Sequence, residues 1–368
     1  MGYTKDKEAK TAGASTRRTF LAGAATIGAG ASLGLLAGHV FATPRLAVPD
    51  AYGFPICRTG AEAPAVAADQ LKKITFAWNA GAPCLVTVTT AKDKGFFAKH
   101  GLDVELINYS GSTDQLLETL ATGKADAAVG MALRWLKPLE QGFDVRIVAS
   151  THGGCLRLLV PTDSGIAEVK DLKGKTIAVS DMNSPAKNFF AIVLKKAGLD
   201  PTADVDFKPF PGPLLRAAAE KGEAHAVADG DPNTYLWLKD GKFKELSSNL
   251  AGEYARRVCC IIGVRGSLIR DDKPTATSIA RALLEAAEFV HHNPAEAAAT
   301  YAPFAAGKVS LEDLTDLAKY HTHHEHPVGA ELKQQLALYA EELKLVSVFK
   351  PSTDTAKYAE RIYADVLS

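Results

Sequence analysis

The sequence predicts an α/β protein of two lobes, each a sheet flanked by helices, followed by a helical C-terminal tail. Strand-like and helix-like segments alternate from Lys72 onward, the pattern of a parallel sheet covered on both faces. The alternation restarts at Leu156, and after Val264 the chain reads as mostly helical to Ser368. The length, 368 residues, fits two domains at about 100–200 residues each.

The first forty residues read as an address. Residues 1–18 are polar and carry Lys5, Lys7, Lys10, Arg17 and Arg18, and no charge then occurs from Phe20 to Ala42. Ser15-Thr16-Arg17-Arg18-Thr19-Phe20-Leu21 resembles the twin-arginine export motif. Val40-Phe41-Ala42 has the small residues of a cleavage site. The uncharged run could also span a bilayer, but its glycine content and the paired arginines favour a signal peptide over 1–42. No cysteine follows the cleavage site closely, so the expected product is free in the periplasm. Residues 43–69, with Pro44, Pro49, Pro55 and Pro64, read as a linker or surface arm.

In the body, Ile74–Trp78 reads as a buried strand, Val86–Lys99 as one helix and Val104–Tyr109 as the second strand. Ser112 and Gln115 form a capping box for the next helix. Strand Ala125–Val129, helix Leu133–Gln141 and strand Val145–Ser150 follow. The second set comprises strands Leu156–Val160, Thr176–Ser180, Val205–Pro209 and Ala224–Ala228, with helices Ala186–Ala197 and Leu214–Lys221. Tyr254–Val264 reads as one long strand. Leu156–Pro161 and Tyr254–Val264 are the natural crossovers, giving one lobe over 70–154 plus 262–368 and another over 155–261.

Charge and composition exclude several classes. The 42 Lys and Arg balance the 42 Asp and Glu, which excludes a generally basic nucleic-acid binder. Five cysteines in a chain this long are not a disulfide scaffold. No nucleophile elbow, H-E-x-x-H or phosphate-binding loop motif is present.

Four segments carry a family resemblance. They are Phe96-Phe97-Ala98-Lys99-His100-Gly101-Leu102-Asp103-Val104, Leu120–Ala127, Val169–Val179 with its Asp171-Leu172-Lys173-Gly174-Lys175 core, and Ala219–Ala226. In this order they resemble the nitrate/sulfonate/taurine-type periplasmic substrate-binding proteins of ABC importers. His225 stands where that family usually has Asp. The resemblance implies a type II periplasmic-binding-protein (Venus-flytrap) fold that closes on a small-molecule ligand without catalysis. It also implies delivery to a permease and ATPase complex in the inner membrane. A monomer with no required cofactor is expected, and no nucleic-acid partner.

Open α/β sheets bind ligands beyond the carboxyl ends of their strands, which points to six loops. Trp78, Asn79 and Cys84 come from the first, Ser110 and Ser112 from the second, Met131 from the third and Cys155 from the fourth. Asp181, Met182, Asn183 and Ser184 form the fifth, and Asp229 and Asp231 lie in the sixth. Ser112 and Ser184 cap helices whose free N–H groups suit anions or polar oxygens. Trp78 can stack on a flat ligand, although core packing is the commoner fate of such a ring. The carboxylates disfavour a bare anion such as nitrate.

Sulfur concentrates in these loops. Apart from Met1, the only methionines are Met131 and Met182, and Cys84, Cys155 and Cys259 join them. Soft ligands select soft metals, while buried Cys and Met are also ordinary fillers. Strand alternation would let only one of Cys259 and Cys260 face the cleft. His321, His323, His324 and His326 crowd one short segment, a composition that often binds metal. The alternatives to a receptor are therefore a soft-metal or metal-complex scavenger on the same fold, or an enzyme resembling the thiamine-pyrimidine synthase branch. That branch uses a Cys-rich iron motif, of which Cys259-Cys260 is only a fragment.

Overall fold

The computed structural model describes residues 70–109, 113–305 and 307–368. The export motif, the cleavage site, the proline-rich arm, Cys57, Ser110 and Ser112 lie outside the described residues.

The first lobe begins with β1 (Lys72–Trp78), whose Ile74, Phe76 and Trp78 side chains are buried. Helices α1 (Val86–Asp93) and α2 (Phe96–Lys99) lead to β2 (Leu102–Asn108). The single helix expected over Val86–Lys99 is thus two. Gly95 has φ +75° between them, a left-handed conformation that ends a helix and that only glycine adopts cheaply. Then come α3 (Thr113–Ala121), β3 (Ala127–Met131), α4 (Ala132–Glu140) and β4 (Val145–His152).

The second lobe contains β5 (Leu156–Pro161), β6 (Lys175–Val179), α5 (Pro185–Lys196), β7 (Val205–Pro209), α6 (Leu215–Glu220) and β8 (Ala226–Gly230). Helix α7 (Asn233–Lys239) and strand β9 (Phe243–Ser248) follow, both missed in the sequence. The chain then returns through β10 (Cys260–Arg265). Six helices complete it: α8 (Gly266–Asp271), α9 (Lys273–His292), α10 (Pro294–Tyr301), α11 (Leu311–Tyr320), α12 (Gly329–Leu345) and α13 (Thr355–Ile362).

The two sheets repeat one plan. Their strand orders are β2-β1-β3-β10-β4 and β7-β6-β8-β5-β9. In each, four of the five strands run in the same direction, and the fifth, β10 or β5, enters from the other lobe and runs antiparallel to both its neighbours. The sheets are therefore mixed rather than purely parallel. The direction of β10 and β5 is set by the crossover each completes, not by a βαβ unit. The long strand expected from Tyr254 is shorter: Gly252–Tyr254 is a helical turn, and pairing starts at Cys260. Cys260 and Ile261, expected in the second lobe, pair with Met131 and Gly130 in the first sheet.

Trp135 is fully buried against two glycines on neighbouring strands. A Cβ at Gly130 or Gly263 would stand 2.2 or 2.6 Å from its ring. Buried residues of both lobes join one core, and a smaller one around Leu159, Leu215 and Phe243 lies in the second lobe. Helix α9 presents Ala276, Ile279, Ala280, Leu283, Ala286, Ala287 and Val290 inward, the spacing of an amphipathic helix. Among the described residues, no helix is long and apolar enough to cross a membrane.

Candidate functional site

Two crossovers join the lobes, His152 to Leu156 and Ser248 to Cys260, and they are clasped to each other. The Asn249 side-chain oxygen accepts hydrogen bonds from the backbone N–H groups of Cys155 (2.9 Å) and Leu156 (2.7 Å). A Cβ at Gly154 would lie 2.4 Å from the Asn249 carbonyl oxygen, so the close approach needs glycine. The Cys259 N–H donates to the His152 carbonyl at 3.0 Å. The segment after α11 is tied to the same place. The Gly153 N–H donates to Thr322 Oγ1 at 3.1 Å, and Ser150 Oγ donates to the Pro327 carbonyl at 2.9 Å.

These clasps gather sulfur and imidazole. Cys84, from the turn leading into α1, meets His152 at the end of β4 and Cys260 at the start of β10. One ligand atom from each lies within 4.8 Å of the others. His152 and Cys260 are cross-strand partners. Cys155 Sγ and Cys259 Sγ are 3.4 Å apart. The His152 ring centroid lies 5.7 Å from that of His321 and 5.4 Å from that of His323. All seven side chains are buried. Strand alternation does not separate Cys259 from Cys260, because pairing begins only at Cys260 and the register shifts directly after it.

The electrostatics are those of interacting thiols. Hydrogen bonding to Cys155 and Cys260 holds the Cys84 and Cys259 thiols well below their ordinary range, while Cys155 and Cys260 are held above it. Burial opposes charge on His152, but the Cys84 and Cys259 thiols outweigh it and raise its pKa. Burial drives the His323 pKa well down. Both ring nitrogens of His152 and of His323, and Nδ1 of His321, are buried without a hydrogen-bond partner of normal geometry. The Cys84 thiol and the Gly153 and Thr151 backbones are near enough to be felt by these rings, not aligned to bond them.

Beside the cluster, Asp231 bridges Arg157 and His321, with His321 Nε2 at 3.0 Å, and accepts from Thr234 Oγ1 at 2.6 Å. Further contacts join the lobes. Arg134 pairs with Asp181 at 2.6 Å and with Asp114 at 2.9 Å, and Asn188 Nδ2 donates to the Leu133 carbonyl at 3.1 Å. The space between Met131, Leu133, Leu156, Pro185 and Cys259 measures only about 10 Å³. A wider depression of about 890 Å³ between Pro161, Lys175, His225 and Lys242 lies at the opposite ends of the second sheet's strands, the wrong end for an α/β ligand cleft.

The expected residues therefore divide. Cys84, Cys155, Cys259 and Asp231 converge at the crossovers, and half-buried Met131 lies beside them. Trp78 is 1% exposed and packs edge-on to Tyr301 and Phe304, so it is a core residue. Asn79 accepts from the Gly81 N–H within its own turn. Ser184 caps α5 by accepting from the Lys187 N–H at 3.1 Å. Asp181 is engaged by Arg134 and the Asn183 N–H, and Met182 and Asn183 are exposed. Asp229 accepts from Asn233 Nδ2 at 2.9 Å. The four clustered histidines part: His321 and His323 turn inward, while His324 packs 4.7 Å from His291 and His326 lies 3.6 Å from Glu288. His152, not singled out in the sequence, is central. Its spacing of three residues from Cys155 was the available signal.

Comparison with solved structures gives the fold. The periplasmic aliphatic sulphonate binding protein SsuA from Escherichia coli is 18% identical, with a TM-score of 0.66 over 80% of this chain and 92% of that one. The periplasmic nitrate-binding protein NrtA from Synechocystis PCC 6803 is 16% identical, with a TM-score of 0.65 over 80% of this chain and 86% of that one. The ligand binding component of an ABC-type import system from Staphylococcus aureus, with zinc bound, is 14% identical. Its TM-score is 0.64 over 80% of this chain and 97% of that one. The fold is thus that of periplasmic binding proteins, the two-lobed architecture with crossover strands and helical tail read from the sequence. No curated protein sequence matches the chain. Residues 83–297 match the family model described as NMT1/THI5 like, and the chain belongs to that family.

Proposed function

We propose that this chain is the substrate-binding component of an ABC importer, a monomer in the periplasm that takes one small guest at the junction of its lobes and hands it to a permease and ATPase complex. The observation that carries the reading is the pair of mixed sheets exchanging one strand each, with buried Cys and His groups gathered where the two crossovers touch. Hinged closure around a ligand is what such an arrangement allows. The likeness to sulphonate-, nitrate- and zinc-associated binding proteins supports it, and no turnover is expected.

Binding to the folded state raises the thermal midpoint by mass action, about 2.7 kcal/mol of stabilisation at a ligand concentration of 100 Kd. A panel of sulfonates, oxyanions, pyrimidines and metal ions should contain at least one member that does so. A flat response across the panel, together with unimpaired uptake after gene deletion, would refute the receptor. Export is tested separately: Arg17→Lys with Arg18→Lys should leave the protein in the cytoplasm, and unchanged periplasmic recovery counts against the twin-arginine route. The Cys/His cluster favours a second reading, a soft-metal-binding protein on the same fold.

A further inference from the structure

We propose that the hinge holds a thiophilic metal site in which Cys84, His152 and Cys260 ligate one d10 cation of the Cu(I) or Zn(II) class, with the Cys155–Cys259 pair beside it to supply a further thiolate. The inference rests on the receptor reading above only for the metal's role as cargo; the site itself stands on the geometry.

Three ligand atoms already lie within 4.8 Å of one another. Bonds of about 2.0–2.3 Å in tetrahedral geometry place ligand atoms roughly 3.3–3.8 Å apart, so small side-chain rotations suffice. The donors are sulfur and imidazole, and the nearby carboxylate, Asp231, is already engaged by Arg157 and His321. Such a set selects Cu(I) or Zn(II) over Mg(II), Ca(II) or Mn(II). Five buried ring nitrogens of His152, His321 and His323 lack a bonded partner. Each such atom costs about 1–3 kcal/mol when left unsatisfied, and a ligated ion satisfies the His152 nitrogen directly. The gap of about 10 Å³ beside Cys259 is near the smallest space that admits one water, far below the size of a sulfonate.

The position of the ligands gives the site a mechanical consequence. His152 ends the strand that leaves the first lobe, Cys260 begins the strand that returns, and Cys84 belongs to the first lobe. Cys155 and Cys259 lie on the two crossovers themselves. Cys84, His152 and Cys260 fix a metal at the first-lobe ends of both crossovers, and a further thiolate from Cys155 or Cys259 extends the grip onto the crossovers themselves, which links binding to the hinge angle. Ligation exchanges protons for metal: each thiol that binds as thiolate releases one proton, and no electron is transferred.

The test uses the whole protein, reduced, stripped of metal and kept anaerobic. Cu(I) and, separately, Zn(II) are titrated against a chromophoric competitor, with stoichiometry read by elemental analysis. One equivalent is expected in at least one arm. Cys84→Ser, His152→Ala and Cys260→Ser should each weaken it at least about 100-fold, because even outer partners of a ligand are worth 10–100-fold. His324→Ala with His326→Ala should leave it unchanged. Should a variant not fold, the wild-type protein loaded with Co(II) in place of Zn(II) replaces it: thiolate-to-cobalt charge-transfer absorption and the intense visible bands of a tetrahedral site are expected, and their absence overturns sulfur ligation. No equivalent in either arm overturns the site. Loss of binding only in the His324 and His326 variant, or a Cys155–Cys259 disulfide with no metal bound after its reduction, does the same. An organic guest that closes the lobes without metal would end the metal's role as cargo and leave the receptor standing; a bound metal with uptake unaffected by deletion would end the receptor reading and leave the site standing.

Discussion

At the residue scale, Asp231 anchors a buried charge network. Its side chain and those of His321 and Arg157 are almost wholly buried, and they are mutually paired. Removing one member of a buried pair leaves an uncompensated charge and costs about 3–5 kcal/mol. Asp231→Asn should therefore lower the urea midpoint by that equivalent, and a change below about 1 kcal/mol would show the network to be dispensable. Asp229, two residues earlier, has the opposite character. Burial pushes its carboxyl up to about 6, against the hydrogen bond from Asn233. The folded state then binds a proton that the unfolded chain has released, so stability falls as pH rises through about 4 to 6. Asp229→Asn should raise the thermal midpoint above pH 6 and leave it unchanged near pH 4. Equal shifts at both values would assign the effect to packing instead.

At the scale of elements, the glycines of β3 and β10 explain how α4 reaches the sheet. Gly130 and Gly263 leave the groove that Trp135 fills. A methyl group at Gly263 would meet the indole of Trp135, a large, fully buried ring. Gly263→Ala should cost about 1–3 kcal/mol, the usual range for overpacking, and a neutral thermal melt would show that the ring can shift. The crossovers follow the same logic. Asn249 satisfies two N–H donors of the opposite crossover, so the hinge is a fastened element rather than a pair of free loops.

At the scale of the molecule, cross-lobe contacts hold the two sheets together. Arg134 is 6% exposed and reaches Asp181 in the second lobe, whereas in the cross-lobe pair Lys239–Asp313 the cation is the exposed partner. Exposed pairs are worth little and are screened by salt; in the Arg134 contact the cation is buried and only the Asp181 end meets solvent. Arg134→Ala should shift the protein toward a more open form, seen as a larger radius of gyration by solution scattering, while Lys239→Ala should not. Identical scattering for both would place closure elsewhere, at the fastened hinge. Much of this plan was legible beforehand: the restart at Leu156 and the two crossovers follow from strand and helix alternation. α7 and β9 were not, because Asn233–Lys239 and Phe243–Ser248 are short and give little periodic signal.

The sequence by itself determined the α/β alternation, the division at two crossovers, and the loops that carry Cys84, Cys155 and Asp231, because hydrophobic period and turn residues are local properties. Only the tertiary structure decided which of these groups meet. Trp78 and Ser184 were drawn into packing and capping, His152 was brought opposite Cys260, and neighbouring histidines were sent to opposite sides of one segment. Those outcomes depend on strand register and on a return crossing more than a hundred residues later in the chain, which no local pattern encodes.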